Sequence, residues 1–295
     1  MAAKDGRVLL AYGPVEQVSI VFSVRKSILA MLYGKYVQQG TIDLRATLAD
    51  LDIDDVGGLL PTERRATVDD LLRSRSGVFH AAANGGDDLA HASARGSHPP
   101  GAYFLYNNWD FNAAGTVFEQ RTGRGIYDAF LSDIARPIQL QDFDPSRHKK
   151  MGDRAKSMHL AYPFYLSTRD MARIGQLMLR GGEWNGARVL DADWVQAITQ
   201  RHTPSSDMHP PATARRKLGY GRMWWVTEPG APAAFDGAYM AWGVHGQFIL
   251  VLPRQNVVIA HKRRVPESGN WNVSWVRMKD FFKAAEMIAK ARCDL

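Results

Sequence analysis

Residues Ser23–Val37 read SVRKSILAMLYGKYV. Ser23 and Lys26 stand one helical turn apart, and the run from Ile28 to Val37 is almost wholly apolar. A helix that is apolar on nearly every face is buried in a core rather than laid on a surface. The spacing predicts a helix that opens at Ser23 and stops at Gly40, a residue suited to the position after a helix end. A strand-like stretch, Val18–Phe22, precedes it, so the Ser23 backbone N–H belongs to a helix N-terminus, where negative charge is favoured. Lysine ordinarily holds its proton up to a pKa of about 10.4. Burial in an apolar helix disfavours the charged form and lowers that value. From one turn away the amine reaches the serine hydroxyl and can take its proton. The competing structural reading is a serine that merely caps the helix and a lysine that snorkels to solvent.

An S-x-x-K pattern alone carries little, since about half a match is expected by chance in a chain of this composition. A second one, Ser146-Arg-His-Lys149, follows Pro145 in a polar stretch with no buried helix behind it. Nothing there would desolvate the lysine, so Ser23 is the candidate nucleophile and Ser146 is rejected. Tyr106-Asn107-Asn108 follows 83 residues after Ser23. A phenol near a lysine can shuttle a proton to a leaving group, and the Asn108 amide can orient the lysine or a substrate carbonyl. The plainer reading is an aromatic anchor before an Asn-Asn turn.

Around this core the chain reads as strands, then helices, then strands and a terminal helix. Val8–Tyr12 and Val18–Phe22 carry β-branched residues around a Gly13-Pro14 turn. Thr67-Val-Asp-Asp70 and Ser167-Thr-Arg-Asp170 have capping-box spacing, the first opening a helix through Leu71, Leu72 and Arg75, the second one from Met171 to Arg180 before Gly181-Gly182. Between them lie a Gly-, His- and Pro-rich loop, Asn84–Gly101, that delivers Tyr106, a helical stretch from Asn112 to Gly123, and an irregular polar stretch from Phe143 to Ser157. Tyr220–Thr227, Ala238–His245, Gln247–Leu252 and Val257–His261 read as strands, with Pro253–Asn256 as a turn. Trp275, Met278, Phe281, Phe282, Ala285 and Ile288 recur at helical spacing and predict a helix packed on that sheet. The expectation is an α+β fold: an antiparallel sheet built from both chain ends, 1–40 and 165–295, flanked by helices and enclosing a mostly helical subdomain, 41–164. The site would lie at the seam.

The chain's 295 residues suffice for one large domain or two interlocked ones. No apolar stretch reaches the roughly 18 residues a membrane span needs. No secretory leader is visible at Met1–Gly6, and the expectation is a cytoplasmic protein. The net charge of +7 is dispersed over His148-Lys149-Lys150, Arg215-Arg216-Lys217 and His261–Arg264. No nucleic-acid motif accompanies these clusters, and they read as solvated surface. Cys293 is the only cysteine, so no internal disulfide forms. His80, His91 and His98 lack metal-ligand spacing, and Gly85-Gly86 lacks a phosphate-binding loop, so neither metal nor cofactor is expected. Of the Trp224-Trp225 pair, one is expected in the core and one in a pocket.

On Ser23–Lys26 and Tyr106–Asn108 the chain resembles the serine β-lactamase-like hydrolases: class C β-lactamases, penicillin-binding DD-peptidases, family VIII carboxylesterases and 6-aminohexanoate-dimer hydrolases. Thr67–Val78, Leu166–Thr199 and Leu218–Val226 are similar to family segments, and the likeness covers most of residues 15–262. The resemblance implies a hydrolase that works through an acyl-enzyme on Ser23, with Lys26 and Tyr106 relaying protons and no cofactor. It also implies a third motif on an edge strand, commonly K-T-G or H-x-G. The stretch AWGVHGQ, Ala241–Gln247, is the candidate. One register sets Trp242-Gly243 at the Thr-Gly positions, leaves Ala241 where a cation is usual, and gives the oxyanion to the N–H groups of Ser23 and Val244. Another uses His245 and Gly246 with Gln247 as donor. Alanine in place of the cation, with Trp242 and Val244 as walls, favours esters or amides of uncharged acyl groups, although His245 could restore positive charge for a β-lactam. The alternatives are a β-lactamase or DD-peptidase, a penicillin-recognising protein that acylates without turnover, and a scaffold that keeps only the fold. A further departure is the short chain ahead of Ser23, from which a reduced outer sheet or pocket cover is expected. The partner implied is a small ester, amide or β-lactam, with neither nucleic acid nor membrane; the oligomeric state is not legible.

Overall fold

The computed structural model describes residues 1–265 and 276–291. Trp275 and Cys293 lie outside the described residues. A seven-stranded antiparallel sheet forms the spine, in the order β2-β1-β13-β12-β11-β10-β9. Its outer strands are β1 (Ala2–Lys4) and β2 (Arg7–Leu10), and the rest are β9 (Leu218–Tyr220), β10 (Trp225–Thr227), β11 (Tyr239–Gly243), β12 (Gln247–Leu252) and β13 (Val257–His261). Both chain ends thus build one sheet, as expected for the α+β fold. Two-stranded pairs complete the β structure: β3 (Ser19–Ile20) with β5 (Tyr165–Leu166), β4 (Phe104–Leu105) with β8 (Met208–His209), and β6 (Glu183–Trp184) with β7 (Ala187–Arg188).

Three strand assignments change. The N-terminal strand is a hairpin, because Asp5 and Gly6 both take positive φ (52° and 76°), as a tight hairpin turn requires. Val18–Phe22 supplies only β3, which pairs outside the main sheet. Tyr220–Thr227 is two strands, since the chain reverses at Gly221–Trp224 with Met223 at φ 60° and the Gly221 N–H bonded to the Trp224 carbonyl at 2.8 Å.

The helices are α1 (Val24–Gln38), α2 (Val68–Leu72), α3 (Asn108–Thr122), α4 (Ile126–Phe130), α5 (Thr168–Leu179), α6 (Ala192–Thr199), α7 (Pro211–Ala214) and α8 (Met278–Lys290). The capping box at Thr67 is complete. It holds a shorter helix than expected, ending at Leu72. At Ser167 only half of the box forms: the hydroxyl accepts from the Asp170 N–H, while the Asp170 carboxylate accepts from the backbone of Gln141 and Asp142. Helix α3 begins four residues earlier than expected because the Asn107 side chain caps it, accepting from the Trp109 N–H at 2.9 Å.

Neighbouring residues of β12 point to opposite faces of the sheet. Ile249 meets α5, which approaches through Gly175, and Phe248 stacks on Phe281 of α8 at 4.1 Å. The sheet therefore carries a helix on each side. Helix α1 runs from the sheet into the helical region, buried from Val24 to Gly34 and tied to α3 by Tyr33, whose hydroxyl donates to the Ala114 carbonyl. Truncating a side chain such as Leu29 there would cost about 2–5 kcal/mol.

Candidate active site

Ser23 occupies the N-cap position of α1, yet its side chain caps nothing. The first turn closes with backbone bonds from Val24 to Val21, Arg25 to Phe22 and Lys26 to Ser23. Phe22 takes φ 48°, a left-handed conformation that costs a bulky residue energy and turns the chain sharply into the helix. The serine is left half-buried and lines two cavities, one of about 590 Å³ and one of about 250 Å³.

Lys26 is buried, at 1% exposure, and does not snorkel. Its Nζ donates to the Tyr106 hydroxyl at 2.7 Å and sits 4.0 Å and 4.2 Å from the ring centres of Tyr106 and Phe111. Burial holds the amine well below the usual lysine range, the Arg25 charge adds to the effect, and Asp87 and Asp88 oppose it. Burial pushes the Tyr106 phenol up to about 12, against the pull of a hydrogen bond with the Ser23 hydroxyl and the charges of Arg25 and Arg216. Ser23, Tyr106 and Lys26 thus form a connected chain of proton-bearing groups, and at neutral pH the phenol keeps its proton.

Two asparagines hold Tyr106 in place. The Asn107 amide donates to the Val78 carbonyl at 2.6 Å. The Asn108 amide donates to the Gly85 carbonyl at 2.8 Å, and its backbone N–H donates to Asp87, so this residue fastens the 85–87 loop instead of orienting Lys26. Asn108 also lines the larger cavity.

Gly243 ends β11 against the start of α1. A Cβ there would lie 2.3 Å from the Val21 carbonyl oxygen and 3.2 Å from the Ser23 nitrogen, so only glycine allows this approach. Val244 follows and lines both cavities beside Ser23. Trp242 lines the smaller one and His245 the larger. Gly243 and Val244 are thus the residues of Ala241–Gln247 that stand beside Ser23. The His245 ring lies 5.2 Å from Phe22, and burial, with Arg263, lowers its pKa, so it brings no positive charge.

The larger cavity is walled by Ile20, Phe22, Met151, Ala161 and Pro163, with Arg25 also facing it. The smaller contains Tyr106, Asp87, Asp88, Trp225, Trp242 and Arg216. Trp224 goes to the core and Trp225 to this cavity, stacked 5.5 Å from Tyr106. Arg216 corrects the reading of its cluster as solvated surface. Its side chain is half-buried, with the guanidinium 4.9 Å over the Trp242 ring, and makes no ion pair among the described residues. Nothing in Arg215-Arg216-Lys217 marks the middle residue; the turn after α7 aims it. Arg25, Asp87 and Asp88 were likewise not singled out by sequence. Among the described residues no group of three His, Cys, Asp or Glu side chains is gathered as for a metal, and no helix is long and apolar enough to cross a membrane.

A family model described as Beta-lactamase matches residues 1–261. The chain belongs to the Beta-lactamase family. A curated 6-aminohexanoate-dimer hydrolase of Paenarthrobacter ureafaciens is 30% identical over 102 residues, 34% of this chain and 25% of the relative. The match thus spans a quarter of that relative's length. A β-lactamase structure from Mycobacterium bovis superposes with a TM-score of 0.63 at 18% identity, covering 97% of this chain and 91% of that one. A family VIII carboxylesterase superposes with a TM-score of 0.62 at 14% identity, covering 93% and 83%. At these identities the structures share the Beta-lactamase-family fold. The family is one of hydrolases, and solved structures that share the fold include one described as a family VIII carboxylesterase and one described as a penicillin binding protein.

Proposed function

We propose that this protein is a serine hydrolase that cleaves an ester or amide bond through an acyl-enzyme on Ser23. The observation that carries this reading is a buried lysine, in no carboxylate ion pair among the described residues, bonded to a tyrosine whose hydroxyl interacts with Ser23. An amine kept dry is a base at neutral pH. Lys26 and Tyr106 take the Ser23 proton as the Ser23 Oγ–carbonyl bond forms. The backbone N–H groups of Ser23 and Val244 receive the oxyanion, the role supported by the approach of Gly243 to Ser23. The carbonyl re-forms, the bond to the leaving group breaks, and Tyr106 hands the proton to the departing oxygen or nitrogen. Water repeats the sequence and releases the acid.

Tyr106 faces the smaller cavity and not the larger. The leaving group therefore belongs in the smaller cavity and the acyl chain in the larger, whose walls are apolar. A carboxylesterase or amidase acting on uncharged acyl groups fits this division. Arg216 favours a second reading: a cation beside Trp242 compensates for Ala241 and suits a leaving group that bears a carboxylate, as in β-lactamase or DD-peptidase chemistry.

Labelling with a fluorophosphonate, followed by location of the modified peptide, tests the nucleophile. A tag on Ser23 is expected; a tag on Ser146 refutes the assignment. A panel of short-chain p-nitrophenyl esters, a linear amide and a chromogenic cephalosporin sorts the substrate class, and turnover of the cephalosporin alone overturns the ester or amide preference. A stoichiometric burst without steady turnover identifies a penicillin-recognising protein instead.

A further inference from the structure

Arg25, the residue between the two ends of the S-x-x-K motif, is buried with 4% of its surface exposed. Its Nη2 donates to the Asn112 amide oxygen at 2.8 Å, and its guanidinium lies 4.3 Å over the Tyr162 ring. The Asn112 amide in turn donates to Asn84. These partners are neutral. The guanidinium is buried, and Arg25 makes no ion pair among the described residues. A guanidinium does not give up its proton in a protein. The buried start of α1 therefore holds a permanent positive charge with no counter-ion among the described residues, directly beside Lys26 in the chain.

Arg25 and Lys26 leave adjacent positions of one buried helical turn toward consecutive residues of α3, Asn112 and Phe111; two cations this close at a poorly solvated site repel each other, and the one that can shed a proton does so. We propose that Arg25 is a positioning residue that keeps Lys26 in its uncharged, proton-accepting form. The other groups facing Lys26 do not supply this. Tyr106 carries its proton at neutral pH. Asp87 and Asp88, from the 85–88 loop, pull the other way, and burial raises the Asp87 carboxyl, which weakens its pull. Arg216, from the segment ahead of β9, acts on Tyr106. Burial lowers the lysine, and Arg25 is the next contribution in the same direction.

The inference rests on the proposed Ser23 mechanism, and its test separates the two. The measurement is kcat/KM for a neutral p-nitrophenyl ester from pH 5 to 10, with the rate of Ser23 labelling by a fluorophosphonate over the same range. Arg25→Met should move the acidic limb to higher pH, so that the rate at pH 6, taken relative to the variant's own alkaline plateau, falls roughly 10-fold or more. Asn112→Asp, which gives Arg25 a counter-ion and keeps the guanidinium, should move the limb in the same direction. A parallel loss at every pH, or an unmoved limb in whichever of these variants folds, overturns the proposal. Absence of Ser23 labelling in the unmodified protein at any pH overturns the mechanism itself.

Discussion

Ser23–Lys26 and Ser146–Lys149 have the same four-residue pattern and opposite fates. Ser23 begins a buried helix, its hydroxyl is not used for capping, and its lysine is enclosed by the rings of Tyr106 and Phe111. Ser146 lies in an exposed 3-10 turn, its hydroxyl donates to the Asp144 carboxylate at 2.7 Å, and Lys149 is exposed. A serine whose hydroxyl is held by a surface aspartate, next to a lysine in water, has no desolvated amine beside it to take its proton. The difference teaches that the motif is only a spacing. Desolvation of the amine, and a hydroxyl that is not tied up by a carboxylate, distinguish the first segment from the second.

Exchanging the properties of the two segments sharpens the comparison. Ser23→Ala and Lys26→Met should each lower ester kcat/KM at least about 10³-fold, read in a steady-state assay. Tyr106→Phe keeps the ring and removes the relay, and should lower kcat about 10²-fold, most for substrates with basic leaving groups. Arg216→Gln should weaken kcat/KM roughly 10-fold for esters whose leaving group carries a carboxylate and leave neutral esters near the original rate; equal losses on both would remove the anion role.

Stability moves against activity. Burial in the folded chain depresses the pKa of Lys26, whereas the unfolded chain protonates it below a pKa of about 10.4. The unfolded state thus binds more protons, and stability falls as pH drops from about 10.4 toward the depressed folded value. Lys26→Met removes that penalty and should raise stability at pH 7 by about 1–2 kcal/mol, measured by denaturant unfolding across pH. The smallest effect belongs to the other segment: Ser146→Ala and Lys149→Ala should leave kcat/KM within about twofold and stability within about 0.5 kcal/mol.

Much of this was legible before folding. The all-round apolar run from Ile28 announced burial, the Thr67 box announced a helix start, and Gln247–Leu252 and Val257–His261 read directly as strands. The Asp5-Gly6 hairpin carried a local signal that went unread. The break in Tyr220–Thr227 carried a weaker one, since Gly221 alone hints at a turn within an aromatic stretch. The approach of Gly243 to Ser23 had no local signal, because what requires glycine there is the Val21 carbonyl 222 residues earlier.

By itself the sequence determined the buried helix, the serine one turn ahead of its lysine, the sheet drawn from both chain ends and the family, because period, capping and spacing are properties of neighbouring residues. Tertiary structure alone decided that Tyr106 meets Lys26, that Gly243 closes on Ser23, that Arg216 turns inward and that Arg25 has no counter-ion among the described residues. Each of these depends on how much water and which charges surround a group, and those are set by segments distant in the chain.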